Sequence, residues 1–505
     1  MVKLILNIVF LILVFSINAQ HYFYGDNQRV FQLESSLYQS DSNKHSVIKP
    51  YNFKTSRNQS FKDSSFHKGV WIYGSDLNNK KAIFLPVIGA NYFISPQESN
   101  ANLSTSIGAQ CELNFNSKIS FFSRYVFRRG SLSDFSLDRT HNRSTVQGFG
   151  LLSDSTNEFQ IHQFDFNLSA ILNKYILFSI GKGKNFFGDG YRSLLLSDFA
   201  PSYPYIKIES EFWKVKYVNL YSMHVDNYNA QENKKFSSTH TLSWNINKAI
   251  NLSIFESVVW AAKDSLNQRN FDINYLNPII FFRPVEYSIG SADNSFLGAN
   301  LKLRFFKKHI FYGQLLVDEF LLNELRSGNG WWANKYGFQF GYKVFDLFGI
   351  KGLGAQIEYN EVRPFTYSHV VSQQNYGHMN HSLAHPYEAN FKELLIRMRF
   401  QKNNFNAEIN YAYQRHGANT FGNYGGDMFF SYTTRLNEYD NFTLQGDLNV
   451  ANHFCALVSY QLIAKSNTAL FSTVVFRTNS HPQINNDLLI SFGVKSNLWN
   501  TYLDY

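Results

Sequence analysis

Residues 164–170 read FDFNLSA, which places Phe164, Phe166, Leu168 and Ala170 on one side of an extended chain and Asp165, Asn167 and Ser169 on the other. Side chains of a strand alternate with period two, so such a segment has one apolar face and one wet face. The rhythm returns many times. Trp213, Val215 and Tyr217 alternate with Lys214 and Lys216, and Leu242, Trp244 and Ile246 with Thr241, Ser243 and Asn245. Leu301, Leu303 and Phe305 flank Lys302 and Arg304, while Ile396, Met398 and Phe400 flank Arg397 and Arg399. Ala407, Ile409 and Tyr411 flank Glu408 and Asn410, and Phe442 and Leu444 flank Thr443 and Gln445. Between about residue 81 and residue 493 the pattern predicts roughly 16 to 20 strands of about eight to twelve residues each. Many are joined by short polar links such as Asn116-Ser117, Asn173-Lys174, Asn247-Lys248, Lys307-Lys308 and Asn403-Asn404, which alternate with long polar stretches.

Strands of soluble sandwiches average about five or six residues, whereas strands crossing an outer membrane need about nine to eleven. In the second case the apolar face meets lipid and the polar face lines the lumen. Without water at membrane depth every strand must pair on both edges, which closes the sheet. The alternation therefore predicts an all-β fold, a transmembrane antiparallel β-barrel over residues 79–505. A large secreted propeller or sandwich is the alternative. The final Tyr505, after a strand-like stretch with Trp499 and Tyr502, matches the terminal aromatic of outer-membrane barrels.

Composition agrees. Of 505 residues, 17% are aromatic and only 17% charged, against about 25% charged in an ordinary soluble domain. That excess of rings rules out a disordered chain. Two cysteines rule out a disulfide framework or a four-cysteine zinc site. Beyond the first 20 residues no run of about 18 uncharged apolar residues occurs, so no helix is expected to span a bilayer. Lys3, the apolar run Leu4 to Phe15 and the exit Ser16 to Ala19 predict a cleaved export signal over residues 1–19. Residues 20–78 are rich in Ser, Asn and Lys and predict a periplasmic or lumen-entering segment. The formal charge of +9 suits acidic lipid headgroups or acidic polysaccharide.

Gly181-Lys182-Gly183-Lys184-Asn185-Phe186-Phe187-Gly188 superficially resembles a phosphate loop, but Phe186 stands where a dinucleotide fingerprint needs glycine and no Gly-Lys-Ser/Thr follows. These glycines are expected to end a strand and open an ordered loop, and nucleotide or nucleic acid is not an expected partner. His369, His378, His381 and His385 cluster in sequence, yet no carboxylate has metalloprotease spacing, so hydrogen-bonded loop histidines are expected rather than a metal site. No Gly-x-Ser-x-Gly elbow occurs. Cys111 shares the apolar parity of Leu113, whereas Cys455 lies opposite Phe454 and Ala456, so no disulfide is expected between them. Polar clusters between strands carry more information: Asp189 with Arg192, Arg283 with Glu286, Asp318 with Glu319, Arg326 beside Trp331 and Trp332, and Glu358 and Glu361 with Arg363. Mixed charges and rings can fill a wide lumen as a network. The same residue types also grip sugars, rings stacking on sugar faces while guanidinium and carboxylate groups bind hydroxyls or uronates.

NFFGDGYRSLLLSD (185–198), YLNPIIFFRPVEYSIGSADN (275–294), DEFLLNELRSGNGWWANKYG (318–337), EYNEVRPFTYSH (358–369) and LAHPYEANFKEL (383–394) resemble the RemB-type gliding motility proteins, grouped with the Wzi-type capsule assembly proteins of Gram-negative outer membranes. The resemblance runs from about residue 45 onward and is nearer the gliding branch. It implies an outer-membrane barrel of about 18 strands with an occluded lumen, no enzyme activity and no cofactor. It also implies a role in gliding motility or in capsule or surface-polysaccharide attachment. Expected partners are outer-membrane lipid, acidic polysaccharide, gliding or secretion machinery, and the barrel assembly machinery for insertion. Within the matching stretches Asp189, Arg192, Arg283, Glu286, Arg326, Trp331, Trp332 and Arg363 are the candidates for ligand contact or lumen plugging, with no catalytic or metal residue among them. A porin-like channel and an outer-membrane hydrolase are the rival functions.

Overall fold

The computed structural model describes residues 20–23, 27–39, 44–54, 82–95, 102–115, 118–132, 143–151, 158–227, 233–263, 269–278, 293–463, 466–480, 486–497, 502 and 504. The expected signal at 1–19, the link Asn116-Ser117, Trp499, Tyr505, and the candidates Arg283 and Glu286 lie outside the described residues.

Eighteen strands form one closed barrel. In chain order they are β1 (Ala82–Ile94), β2 (Asn102–Asn114), β3 (Ile119–Ser131), β4 (Glu158–Ile171), β5 (Ile176–Gly183), β6 (Tyr203–Phe212), β7 (Val215–Asp226), β8 (Asn233–Asn245) and β9 (Ile250–Ala261). The second half comprises β10 (Asn294–Phe305), β11 (His309–Glu319), β12 (Lys335–Phe345), β13 (Leu353–Val362), β14 (Phe391–Lys402), β15 (Phe405–Ala418), β16 (Asp447–Ile463), β17 (Thr468–Asn479) and β18 (Asp487–Ser496). Each strand pairs antiparallel with the next, and β18 returns to β1 through Ile490↔Ile94 to Ser496↔Ile88. Closure leaves no edge with unpaired backbone groups, the condition a membrane imposes.

The predicted parity holds on the wall. Along β4, Phe164 and Leu168 face outward and are exposed while Asp165, Asn167 and Ser169 are buried inward. Leu103, Ile107, Leu315, Phe340, Ile396 and Phe492 continue the outward apolar band, and Lys207, Glu209, Glu393 and Arg397 point into the lumen. Cys111 is half-buried on the outward side and Cys455 buried on the inward side, both as free thiols.

Connections at one end are short, and their side chains explain the turns. The Asn173 side chain accepts from the backbone N–H groups of Tyr175 and Ile176, and Asn247 does the same for Ala249 and Ile250. Two sequence expectations shift here. Trp213 and Lys214 are not strand residues but the β6–β7 turn itself, with Trp213 at φ 54°. Phe442 to Gln445 also alternates without being a strand: Gln445 N–H closes a turn on Phe442 O and Leu444 has φ 78°. A period of two over so few residues does not make a strand unless a neighbouring strand accepts its hydrogen bonds. At the short-turn end Trp213, Phe306 and Phe348 are largely exposed, the placement of an interfacial aromatic girdle.

Two of the long connections at the other end fold inward. Residues 184–202, between β5 and β6, are buried almost throughout, so the Gly-Lys-Gly-Lys stretch ends a strand and opens an ordered loop. Residues 363–390, between β13 and β14, descend beside them. From the N-terminal segment, α1 (Asn27–Gln39) enters near the short-turn end, where Phe31 and Tyr38 pack on Phe345. Ile48–Lys49 then pairs with Phe186–Phe187. These pieces form an apolar core inside the barrel, with Val47, Leu194, Leu195, Leu196, Tyr367 and Leu383 packed on inward residues of the wall such as Phe296 and Leu316. Tyr502 does not sit on an outward strand face. It lies inside, with its hydroxyl on Asp198 and its ring 5.3 Å from that of Tyr191.

Candidate functional site

Two layers of polar side chains sit on this frame. The first crosses the middle of the lumen. Asp189 and Arg192, three positions apart, do not pair with each other; the turn between them aims them apart. Gly190 makes that turn possible, because a Cβ there would come within 2.7 Å of Gln339 Oε1 and Glu358 Oε2. Asp189, fully buried, accepts from Ser46 Oγ at 2.6 Å, Asn300 Nδ2 at 2.9 Å and Tyr38 Oη at 3.1 Å, with Lys302 at 3.9 Å. It thereby ties the inward loop to the N-terminal segment. Glu34 on α1 adds ion pairs with Lys49 and Lys343, each at 2.9 Å. Arg192 turns the other way, to Glu393 at 3.3 Å and Asp504 at 3.2 Å, over the rings of Tyr191 and Tyr502. Glu358 accepts from the backbone N–H groups of Tyr191 and Arg192, and His385 Nε2 meets Glu393 at 2.8 Å. Nearly every charge here has a partner, which is the condition for burying it.

The second layer crowns the long-loop end. Trp331 and Trp332 both donate their indole N–H to Glu438 Oε1, at 3.1 and 2.9 Å. Arg435 pairs with Glu438 and lies 4.2 Å over the Trp332 ring, and Tyr432 packs against that ring at 4.6 Å. The Arg435 guanidinium holds the Glu438 carboxyl below the usual range. Arg363 does not join Glu358 or Glu361. It donates to Asn441 O at 2.8 Å and Trp331 O at 3.4 Å, fastening the 419–446 connection to the tryptophan loop. Arg326 stands exposed at the end of α2 (Leu322–Ser327), beside exposed Leu322 and Leu325. Asp318 and Glu319 both pair with Lys335, at 3.1 and 3.0 Å.

The histidines are held singly. His378 Nδ1 accepts from Val225 N–H, His381 Nε2 from Gly148 N–H, and His369 Nδ1 from Val371 N–H. Burial pushes His378 down to about 3 and His381 to about 4, so both imidazoles are neutral at pH 7.

Of the candidates named from sequence, Trp331, Trp332 and Arg363 come together at the long-loop end, Asp189 and Arg192 join different parts of the lumenal network, and Arg363 stands apart from Glu358 and Glu361. Sequence reasoning missed Glu438, Arg435 and Tyr432, which lie in a polar loop with no periodicity, and it missed Asp504, Glu34 and Tyr38, brought in by chain ends. Glu393, Arg397 and Glu408 could have been found: each is a charged residue at an inward parity of an otherwise apolar strand.

Together the layers define a transmembrane β-barrel of outer-membrane type whose lumen is filled by its own loops. Among solved structures the chain is similar to one described as "Wzi, an outer membrane protein involved in group 1 capsule assembly in Escherichia coli, is a carbohydrate binding beta-barrel", with a TM-score of 0.59 and 11% identity over 94% of this chain and 99% of that one. It is also similar to OccAB2 of Acinetobacter baumannii (TM-score 0.46, 11% identity, 84% of this chain and 99% of that one). A third is OpdK of Pseudomonas aeruginosa with vanillate (TM-score 0.48, 9% identity, 82% of this chain and 98% of that one). At these identities the likeness is one of fold. No family model matches the chain, and no curated protein matches it.

Proposed function

We propose that this chain is a non-enzymatic outer-membrane protein that holds polysaccharide at the cell surface, in gliding motility or in capsule attachment. One observation carries the proposal: the lumen is packed with an apolar core and paired charges, while rings and guanidinium groups gather at the long-loop end. A filled lumen leaves little path for solute, and a surface of tryptophan, tyrosine and arginine is suited to sugar rings and to uronate carboxylates. The fold likeness to a barrel described as carbohydrate binding supports the same direction. In this scheme Asp189 and Arg192 hold the plug, Trp331 and Arg326 meet the glycan, and Trp332 and Arg363 position the loop that carries Trp331. Arg283 and Glu286 remain candidates from the sequence. Export by a leader over 1–19, insertion by the barrel assembly machinery and contacts with gliding or secretion machinery complete the proposal.

Retention of the folded protein on beads of acidic polysaccharide, together with low conductance in planar bilayers, is the expected result. Sustained ion conductance without retention would replace it with a porin function, and glycan or lipid hydrolysis that depends on one Ser or His would replace it with an enzyme. In cells, deletion is expected to impair spreading on agar or capsule retention; normal behaviour in both would overturn the role.

A further inference from the structure

The β9–β10 connection does not fold inward. Its described part, residues 269–278, runs down the outside of the wall over β7, β8 and β9, from Trp260 near the long-loop end towards Tyr217. We infer that this strap lies in the outer leaflet, held by donors on the wall, and that Ile273 and Leu276 meet the acyl chains in place of the strands beneath.

The wall under the strap is not made for lipid. Lys216, Lys235 and Phe255 take the inward parity of β7, β8 and β9, so Asn219, His240 and Glu256 point outward. Register sets those three side by side, between Ile208 on β6 and Leu297 on β10. All three are buried, and so are Tyr221, Ser238, Val258 and Trp260 further along the same outward face. Ile206, in register with Tyr221 but beyond the strap, is exposed. A row of amide, imidazole and carboxyl groups laid against acyl chains would be costly, and a cover removes that cost.

The strap and its bed match in detail. Irregular backbone is tolerated at membrane depth only where its polar groups find partners. Four outward side chains donate to strap carbonyls: Trp260 Nε1 to Asn270 O, Ser238 Oγ to Tyr275 O and Tyr221 Oη to Leu276 O, each at 3.0 Å, and Tyr217 Oη to Pro278 O at 2.5 Å. Asp272 caps the short turn Ile273–Leu276 by accepting from Asn274 N–H at 3.0 Å. The Tyr275 ring is fully buried, 4.6 Å from that of Trp260, and Phe271 lies 5.7 Å from the same ring. Where β10 begins, Asp293 receives Arg269 at 2.8 Å and Tyr275 Oη at 2.6 Å, which fastens the strap to the wall at its upper end.

Continuity with the apolar band chooses what covers the other side. Tyr275 points to the wall, while Ile273 is 76% and Leu276 43% exposed. With Ile206 on one flank and Leu301 and Leu315 on the other, they extend the outward band that already faces lipid. Asp272, the one charged side chain of residues 270–278, is paired with Arg269 at 2.8 Å. Acyl chains therefore fit this surface better than water does.

The test is quenching of a bimane label in vesicles of phosphatidylcholine with and without brominated acyl chains, on the folded full-length protein carrying C111S/C455S. I273C and L276C are expected to lose emission in brominated lipid to the same extent as I107C on the bare wall, and N437C in the 419–446 connection to lose none. Two positions keep the measurement available should one variant fail to fold, and heat-modifiable mobility reports the intact barrel. Adding Y217F/Y221F to I273C removes two donors and is expected to reduce the quenching. Absence of quenching at both strap positions while I107C is quenched would overturn the proposal, whether water or another part of the chain covers the strap. Quenching undiminished by Y217F/Y221F would overturn it as well. None of these results bears on polysaccharide retention.

Discussion

Arg192 and Asp504, 312 positions apart in the chain, meet inside the barrel with guanidinium and carboxylate 3.2 Å apart and both side chains almost wholly buried. The first stands on a loop that descends from the long-loop end, the second on the segment that follows the last strand. Their contact, shared with Glu393, makes the plug part of the same polar network as the wall.

Replacing Arg192 by methionine leaves Glu393 and Asp504 buried without their cation. Loss of one partner of a buried pair costs about 3–5 kcal/mol. The barrel wall keeps its own hydrogen bonds, so the expected outcome is a loosened plug: measurable single-channel conductance in R192M, reduced again in R192M/E393Q. Conductance equal to wild type in R192M would show that the ion pair does not hold the plug.

Trp331 is more open than Trp332, which is covered by Arg435 and Tyr432. Truncating Trp331 to alanine is therefore expected to lower retention on acidic polysaccharide by roughly two- to tenfold, the weight of one aromatic contact of about 0.5–1.5 kcal/mol. Thermal unfolding should hardly move. In W332A both retention and loop stability should fall, since that ring is packed. Full retention by W331A would remove it from the contact surface.

Burial pushes the Glu388 carboxyl up to about 7, with Asp427 adding to the effect and Arg143, 2.9 Å away, opposing it. The folded state then holds the proton more tightly than the unfolded one, so this group's contribution is fully present below about pH 4.5 and is lost as the pH rises through about 7. Hydrogen exchange corrected for intrinsic rates should show residues 143–151 and 384–390 better protected at pH 5.5 than at pH 8. E388Q should flatten that difference; a pH dependence that survives the substitution would assign it to other groups.

Phe340 and Ile107 are well exposed on the outward face of the wall. Arginine at either position should destabilise folding in lipid vesicles by about 2–4 kcal/mol if it stands near the midplane. Arg397, on the inward face, is by contrast paired with Glu408 at 2.7 Å. Equal tolerance of arginine on both faces would contradict the lipid-facing assignment.

The wall could be read from residues such as Phe164 and Asp165, because the period of two is a local property and membrane burial imposes it on nearly every strand. The identity of the turns was partly readable as well, since Asn173 and Asn247 act on N–H groups two and three residues away. Trp213 and Phe442 were misassigned because alternation alone does not say whether a neighbouring strand is present to pair. In the candidate site, the residue types were visible but their partners were not. Trp332 needs Glu438 from the 419–446 connection, and Asp189 needs Tyr38 and Ser46 from the N-terminal segment.

By itself, then, the chain's alternation determined a closed wall with lipid outside and charge inside. Strand sterics fix the two faces, and the cost of an unpaired peptide group in a bilayer closes the sheet on itself. Tertiary structure alone decided which segments fill the lumen and which charges neutralise which. Many of those contacts join residues more than a hundred positions apart, as Asp189 with Tyr38 and Arg192 with Asp504 do, and their energies depend on burial that exists only after the barrel has closed.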